Sequence, residues 1–134
     1  MKANWAGVYP AVPTQFNADL SVNLEAIQKH LGILLEAGVH GLVMLGTIGE
    51  NCSLSRGEKE AVLKATREVA GGKVPILSGV AEFTTQGACE TARLAEDAGD
   101  LTTALRHYGN ANQHGDFKDV AERYERLRQT LPGD

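Results

Sequence analysis

A threonine and a glutamate stand between glycines in the stretch GTIGENCSLSRGEKE, residues 46–60, directly after the apolar run GLVML. Residues of these types at the end of a strand can line a ligand site, or they can do no more than close a turn. Other chemistry finds little support. His30, His40, His107 and His114 have no cysteine or carboxylate at metal-ligand spacing, so neither a metal nor another cofactor is expected. Cys52 and Cys89 fit neither a metal site nor a disulfide framework and read as reduced thiols of a cytoplasmic protein. Gly71 and Gly72 are not followed by a dinucleotide or Walker pattern. Glu96 and Asp97 read as a solvated helix end.

Composition narrows the class. A chain of 134 residues can bury a core of its own. Its net charge of -4, with acids and bases interspersed, gives no basic footprint for nucleic acid or for an anionic membrane. No apolar run is long enough to cross a bilayer, and MKANWAGVYP lacks the apolar middle of a signal peptide.

The elements that must position Thr47 and Glu50 repeat one pattern three times. An apolar run leads into a helical stretch, and a glycine closes it. The first run is residues 7–12, ended by Pro13 and Thr14. Its helix spans about 22–37, with Leu24, Ile27, Leu31, Leu34 and Leu35 on one face, Ser21 or Asp19 as cap, and Gly38 past the end. The second run, 39–45, is apolar without alternation, which predicts a strand covered on both faces. Ser55 and Glu58 have capping-box spacing for the next helix, whose stripe is Ala61, Val62, Ala65 and Val69 before Gly71 and Gly72. The third run is 74–80, followed by a helix from Thr85 to Gly99 that carries Ala88, Ala92, Leu94 and Ala95.

Run starts near 7, 39 and 74 match the ~30 or more residues of a βαβ unit. Such units build half a barrel or a doubly wound sheet, and ligands sit at the carboxyl ends of the strands. Gly46, Thr47 and Glu50 fall on that edge, as do Pro13, Thr14, Ala81 and Glu82. After Gly99 no apolar run of strand length follows. Residues 101–108 can form a short helix. A longer one can start at Asp116, with Phe117, Val120, Ala121, Tyr124, Leu127 and Leu131 on one face. Gly115, Phe117, Tyr124, Leu127 and Pro132 faintly match one tetratricopeptide repeat, though a lone repeat cannot bury its faces.

GVYPAVPTQF at 7–16, GVHGLVMLGTIGENCSLSRGEK at 38–59, VPILSGV at 74–80 and TARLAEDAG at 91–99 carry a resemblance. This chain resembles the amino-terminal part of the dihydrodipicolinate synthase / N-acetylneuraminate lyase family, which are (β/α)8-barrel class I aldolases. The resemblance implies an α/β fold: a partial (β/α)8 (TIM) barrel of three βα units over 1–99, followed by a helical hairpin over 100–134 that does not match the family. Such enzymes hold a 2-oxo acid, usually pyruvate, as a Schiff base with a lysine, and their GTTGE turn binds its carboxylate. By that match Gly46, Thr47 and the backbone of Ile48 are substrate-binding. Glycines let the backbone approach closely, and a free N–H and a hydroxyl suit an anion.

Two residues depart from the family pattern. Ile48 stands where the family has a second threonine that belongs to a hydroxyl relay, and Gln15 stands where it usually has proline. The larger departure is that no position matches the family's Schiff-base lysine or relay tyrosine, so no catalytic residue is assigned. Lys2, Lys29, Lys59, Lys64, Lys73 and Lys118 all lie in polar stretches, whereas such a lysine needs burial or a neighbouring cation to be partly neutral. Tyr9, inside the first run, reads as core, and Glu50 as an acceptor for turn N–H groups.

Three readings follow. The first is a truncated or fused member of the Schiff-base lyase family, inactive alone, with a 2-oxo acid as its small-molecule partner. The second is a non-enzymatic small-carboxylate-binding or assembly module on a part barrel. The third is an enzyme completed by a lysine of a partner chain. A part barrel has open edges that invite self-association, so either copies pair into a fuller barrel or the helical tail caps the sheet.

Overall fold

The computed structural model describes residues 6–82 and 84–97. The chain divides into two compact units, Ala3–Gly79 and Val80–Asp134. The expected helical hairpin over 100–134, with its repeat-like residues, lies outside the described residues.

In the first unit the order is α1 (Leu24–Glu36), β1 (Leu42–Met44), a single 3₁₀ turn (Asn51–Ser53), α2 (Arg56–Ala70) and β2 (Ile76–Ser78). β1 and β2 are parallel, in the register Leu42↔Ile76, Val43↔Leu77 and Met44↔Ser78. The sequence predicts a third parallel strand over residues 7–12. That run does lie along β1, through Val43 N–H to Pro10 O (3.0 Å), Val12 N–H to Val43 O (2.9 Å) and His40 N–H to Val8 O (2.9 Å). It forms only one parallel bridge, Ala11↔Val43, and no regular strand. Pro10 has no N–H to give, and the Val8 N–H goes to His40 Nδ1 (3.1 Å) instead of to a backbone carbonyl.

β1 is shorter than its apolar run because Leu45, at φ 51°, leaves the extended region. Leu42 and Met44 are buried and Val43 half-buried, so one face is fully covered and the other only in part. Tyr9 is half-buried, and its ring fills the space that a Cβ on Gly41 would need.

The cap of α1 is Asn23, whose Oδ1 accepts from Ala26 N–H (2.9 Å), rather than Ser21 or Asp19. Those two are engaged with each other: the Ser21 hydroxyl (2.6 Å) and N–H (3.0 Å) both donate to Asp19 Oδ1. Short polar side chains close such local rings readily. At the other end Gly38 takes φ 80°, with Val39 N–H on Leu34 O (3.4 Å) and Gly38 N–H on Leu35 O (3.0 Å). That pair of bonds is the Schellman closure, which needs the left-handed residue a glycine supplies.

α2 begins with the capping box the sequence predicts. Glu58 Oε2 accepts from Ser55 N–H (2.8 Å) and Ser55 Oγ (2.6 Å), and Glu58 N–H donates to Ser55 Oγ (3.4 Å). These bonds hold the Glu58 carboxyl below its ordinary range. Its buried face is Lys59, Val62, Leu63, Ala65, Thr66 and Ala70, with Ala61 and Val69 only half-buried. Thr66 is accommodated because its hydroxyl donates to Val62 O (2.8 Å). α1 and α2 pack together, and Gln28 Nε2 donates to Glu68 Oε2 (2.8 Å) across the pair. The core of this unit joins Val12, Ile27, Leu31, Leu42, Met44, Leu45, Leu54, Val62 and Leu63.

In the second unit α3 (Thr85–Asp97) starts from Thr84, whose Oγ1 accepts from Gly87 N–H (3.0 Å). Cys89, Thr91 and Leu94 are buried and Ala88 is half-buried. The side chains of Ala92 and Ala95 lie outside the described ones.

Candidate functional site

The carboxyl ends of β1 and β2 meet at the turn that the sequence singles out. The chain leaves β1 at Leu45 and enters the 3₁₀ turn through Glu50. Both are left-handed, at φ 51° and φ 54°. Side-chain-bearing residues adopt this region at a cost, and it persists only where the surroundings impose it.

Between them lie Gly46, Thr47, Ile48 and Gly49. Thr47 and Ile48 are exposed, Gly46 is half-buried and Gly49 is buried. Glu50 N–H donates to Thr47 O (3.1 Å) and Asn51 N–H to Gly46 O (3.4 Å). The four N–H groups of residues 46–49 meet no acceptor among the described residues. A run of backbone donors without acceptors, beside an exposed hydroxyl, is chemically suited to an anion.

Three residues hold this turn, two of them distant from it in sequence. Thr14, buried at the end of the first run, donates its hydroxyl to Gly49 O (2.7 Å). Asn51, 2% exposed, donates Nδ2 to Leu45 O (2.8 Å) and to Gly79 O (3.0 Å). Its Oδ1 is buried without a hydrogen bond among the described residues. Gly79 is the third, with its N–H on Met44 O (2.8 Å). A Cβ at Gly79 would overlap Leu45 O, so the close approach of the two strand ends requires glycine there.

Sequence reasoning places Gly46, Thr47, Ile48 and Thr14 at this edge, and all four stand there. It misses Asn51, which reads as one more polar turn residue. It also misassigns the acceptor role of Glu50, whose exposed carboxylate takes no hydrogen bond from the turn among the described residues; the N–H groups of Glu50 and Asn51 go to the carbonyls of Thr47 and Gly46 instead. Gln15, the other departure, pairs Nε2 with His30 Nδ1 (2.9 Å), and its Oε1 is buried without a partner among the described residues. In the second unit Glu82 Oε1 accepts from the Thr91 hydroxyl (2.9 Å).

The lysines correct one expectation. Lys59 is buried in the first turns of α2, whereas a sequence window shows it only in a polar stretch. Lys29, Lys64 and Lys73 are exposed, and Lys64 pairs with Glu60 (2.7 Å). No described lysine stands at the carboxyl end of a strand. Among the described residues no group of three His, Cys, Asp or Glu side chains could hold a metal, and no helix is long and apolar enough to cross a membrane.

Comparison with known proteins agrees with this layout. The profile of the Dihydrodipicolinate synthetase family matches residues 4–119, and so continues past Gly99. A 4-hydroxy-tetrahydrodipicolinate synthase of Methanopyrus kandleri is 37% identical over 125 residues, which are 89% of this chain and 42% of that protein. One of Methanoculleus marisnigri is 39% identical over 116 residues, 84% of this chain and 40% of that protein. Among solved structures, the chloride-inhibited dihydrodipicolinate synthase of Acinetobacter baumannii complexed with pyruvate superposes with a TM-score of 0.70. It is 25% identical, over 83% of this chain and 43% of that one. N-acetylneuraminate lyase of Mycoplasma synoviae shares the fold, with a TM-score of 0.68 at 21% identity over 83% of this chain and 43% of that one. The chain thus spans about two-fifths of the length of these curated relatives, and what it describes is part of a (β/α)8 barrel. It belongs to the dihydrodipicolinate synthetase family of Schiff-base lyases.

Proposed function

We propose that residues 46–48 bind the carboxylate of a small 2-oxo acid such as pyruvate, and that the chain by itself does not turn that acid over. The observation that carries the reading is the run of four N–H groups at 46–49 that find no acceptor among the described residues, next to the exposed Thr47. A carboxylate accepts several such donors at once, and charge-assisted bonds are the stronger kind. Thr47 supplies a hydroxyl and Gly46 the room for approach. Ile48 contributes its N–H alone, since its side chain neither donates nor accepts. The similarity to a synthase solved with pyruvate supports the choice of acid. A cytoplasmic location goes with this reading.

The lack of turnover rests on the lysines. Neutral lysine is the nucleophile of a Schiff base, and it must meet the keto carbon beside the bound carboxylate. No described lysine is at the strand ends. The test is a pyruvate titration of the full chain, followed by the amide resonances of residues 46–49. Those resonances are expected to move together, and Thr47→Val to weaken binding about tenfold or more, as for a lost bond to a charged group. Turn resonances that ignore pyruvate would refute the site. Borohydride treatment with pyruvate should leave the mass of the chain unchanged; a stable adduct on one lysine would refute the lack of turnover.

A further inference from the structure

We infer that Asn51 is the positioning residue of this turn: its carboxamide ties the ends of β1 and β2 together and holds the backbone of residues 46–49 with its N–H groups free for an anion. The inference rests on the carboxylate reading of that turn for its consequence, though not for its geometry.

The argument starts from the amide. A carboxamide has two N–H donors and one carbonyl acceptor. Here the two donations go to the residues that follow the two strands, to Leu45 O at 2.8 Å and Gly79 O at 3.0 Å. Turning the amide over would set its oxygen against two carbonyl oxygens, so the network fixes its orientation. Oδ1 is then left buried without a partner among the described residues. An unpaired buried acceptor is unfavourable, and it is kept in place by the two donations made from the same group.

The backbone points the same way. Leu45 is fully buried yet left-handed, and its carbonyl is the one Asn51 grips. Gly79 is the residue whose missing Cβ lets that carbonyl come close. Had Leu45 stayed extended, β1 would run on and the N–H groups after it would be offered to the strand ladder. Thr14 fixes the far side of the turn at Gly49 O, and Asn51 adds a side-chain bridge between the two strand ends to the backbone bond from Gly79 N–H to Met44 O. The turn is therefore preorganised from outside, and its own donors stay unspent.

The test uses the full chain and two readouts. Without ligand, the Cα and Cβ shifts of Leu45 and Glu50 report the left-handed backbone. With pyruvate as probe, the amides of 46–49 report binding. In Asn51→Ser, whose single hydroxyl cannot bridge two carbonyls, we expect the left-handed signature of Leu45 to be lost. Pyruvate binding should weaken at least tenfold, with the α1 and α2 resonances unchanged. Retention of both signature and affinity would overturn the inference. If the wild-type turn ignores pyruvate, the carboxylate reading fails by itself, and the Leu45 shifts still decide whether Asn51 holds the turn. If Asn51→Ser does not fold, the wild type answers: slowly exchanging Nδ2 protons with scalar couplings to the Leu45 and Gly79 carbonyls support the bridge, and a freely exchanging amide overturns it.

Discussion

Two loops of the first unit each contain a left-handed leucine, and they are held in opposite ways. In the loop before α1, Leu20 has φ 69° and is 80% exposed. Its web of bonds is local: Asn17 Nδ2 to Ser21 Oγ (2.9 Å), Asn23 Nδ2 to Asn17 Oδ1 (2.7 Å) and Ser21 to Asp19, with the N–H groups of Asn17 and Leu20 spent on Ser21 O and Asn17 O. In the turn after β1, Leu45 has φ 51° and is 0% exposed. Its bonds come from Thr14, 35 residues before Gly49, and reach Gly79, 28 residues past Asn51. The loop before α1 spends the N–H groups of Asn17, Leu20 and Ser21 within itself. The turn after β1 leaves four consecutive N–H groups, those of residues 46–49, without an acceptor among the described residues, and that run is what makes it a candidate binding site.

The same substitution at the two leucines should therefore have opposite signs. Leu45→Gly relieves a left-handed residue but removes a fully buried side chain, and is expected to cost about 2–4 kcal/mol by urea unfolding. Leu20→Gly relieves the strain and loses no burial. It should gain about 0.5–1 kcal/mol once the extra freedom of glycine in the unfolded chain is set against it. Two losses of equal size would break the comparison.

Gly79→Ala comes next. The new Cβ meets Leu45 O, so the strand ends must part, and a stability loss of about 1–3 kcal/mol is expected from the same unfolding curves. A neutral result would mean that the close approach of the strand ends does not hold in solution.

A smaller effect separates the loops by pH. Hydrogen bonds from the Ser21 hydroxyl and N–H hold the Asp19 carboxyl below its ordinary 3.8. A lowered folded value means the unfolded chain binds more protons in that window. The contribution is therefore present above about 3.8 and lost as pH falls through the lower folded value. Titration of Asp19 by NMR checks this, and Asp19→Asn should remove its share of the acid dependence. The smallest expected effect is at Ile48, whose side chain is 59% exposed. Ile48→Ala should leave the pyruvate affinity within about twofold and the stability within about 0.5 kcal/mol.

Much of the local structure is legible without coordinates, because both partners of a cap fall within one short window. Ser55 with Glu58 and Gly38 after Leu35 are read directly, while the apolar faces are read only in part: Ile27, Leu31, Val62 and Ala65 are buried, but Leu24 is exposed, and Leu63, Thr66 and Ala70 are buried outside the expected stripe. The misses have separate causes. Asn23 caps α1 because Ser21 and Asp19 choose each other, a competition between near-equal local bonds. The run at 7–12 falls short of a regular strand through Pro10 and His40, and Lys59 is buried by neighbours outside its own segment.

By itself, then, the sequence determined the alternation of apolar runs and amphipathic helices, the capping box, the family, and the place of Gly46, Thr47 and Ile48 at the end of a strand. These depend on spacing along one chain segment. Only the tertiary structure decided that Leu45 turns left-handed, that Thr14 and Asn51 hold the turn, and that the N–H groups of residues 46–49 are left over. Those features depend on the register of β1 with β2 and of the first run with β1, which brings together side chains and carbonyls that are 28 and 35 residues apart.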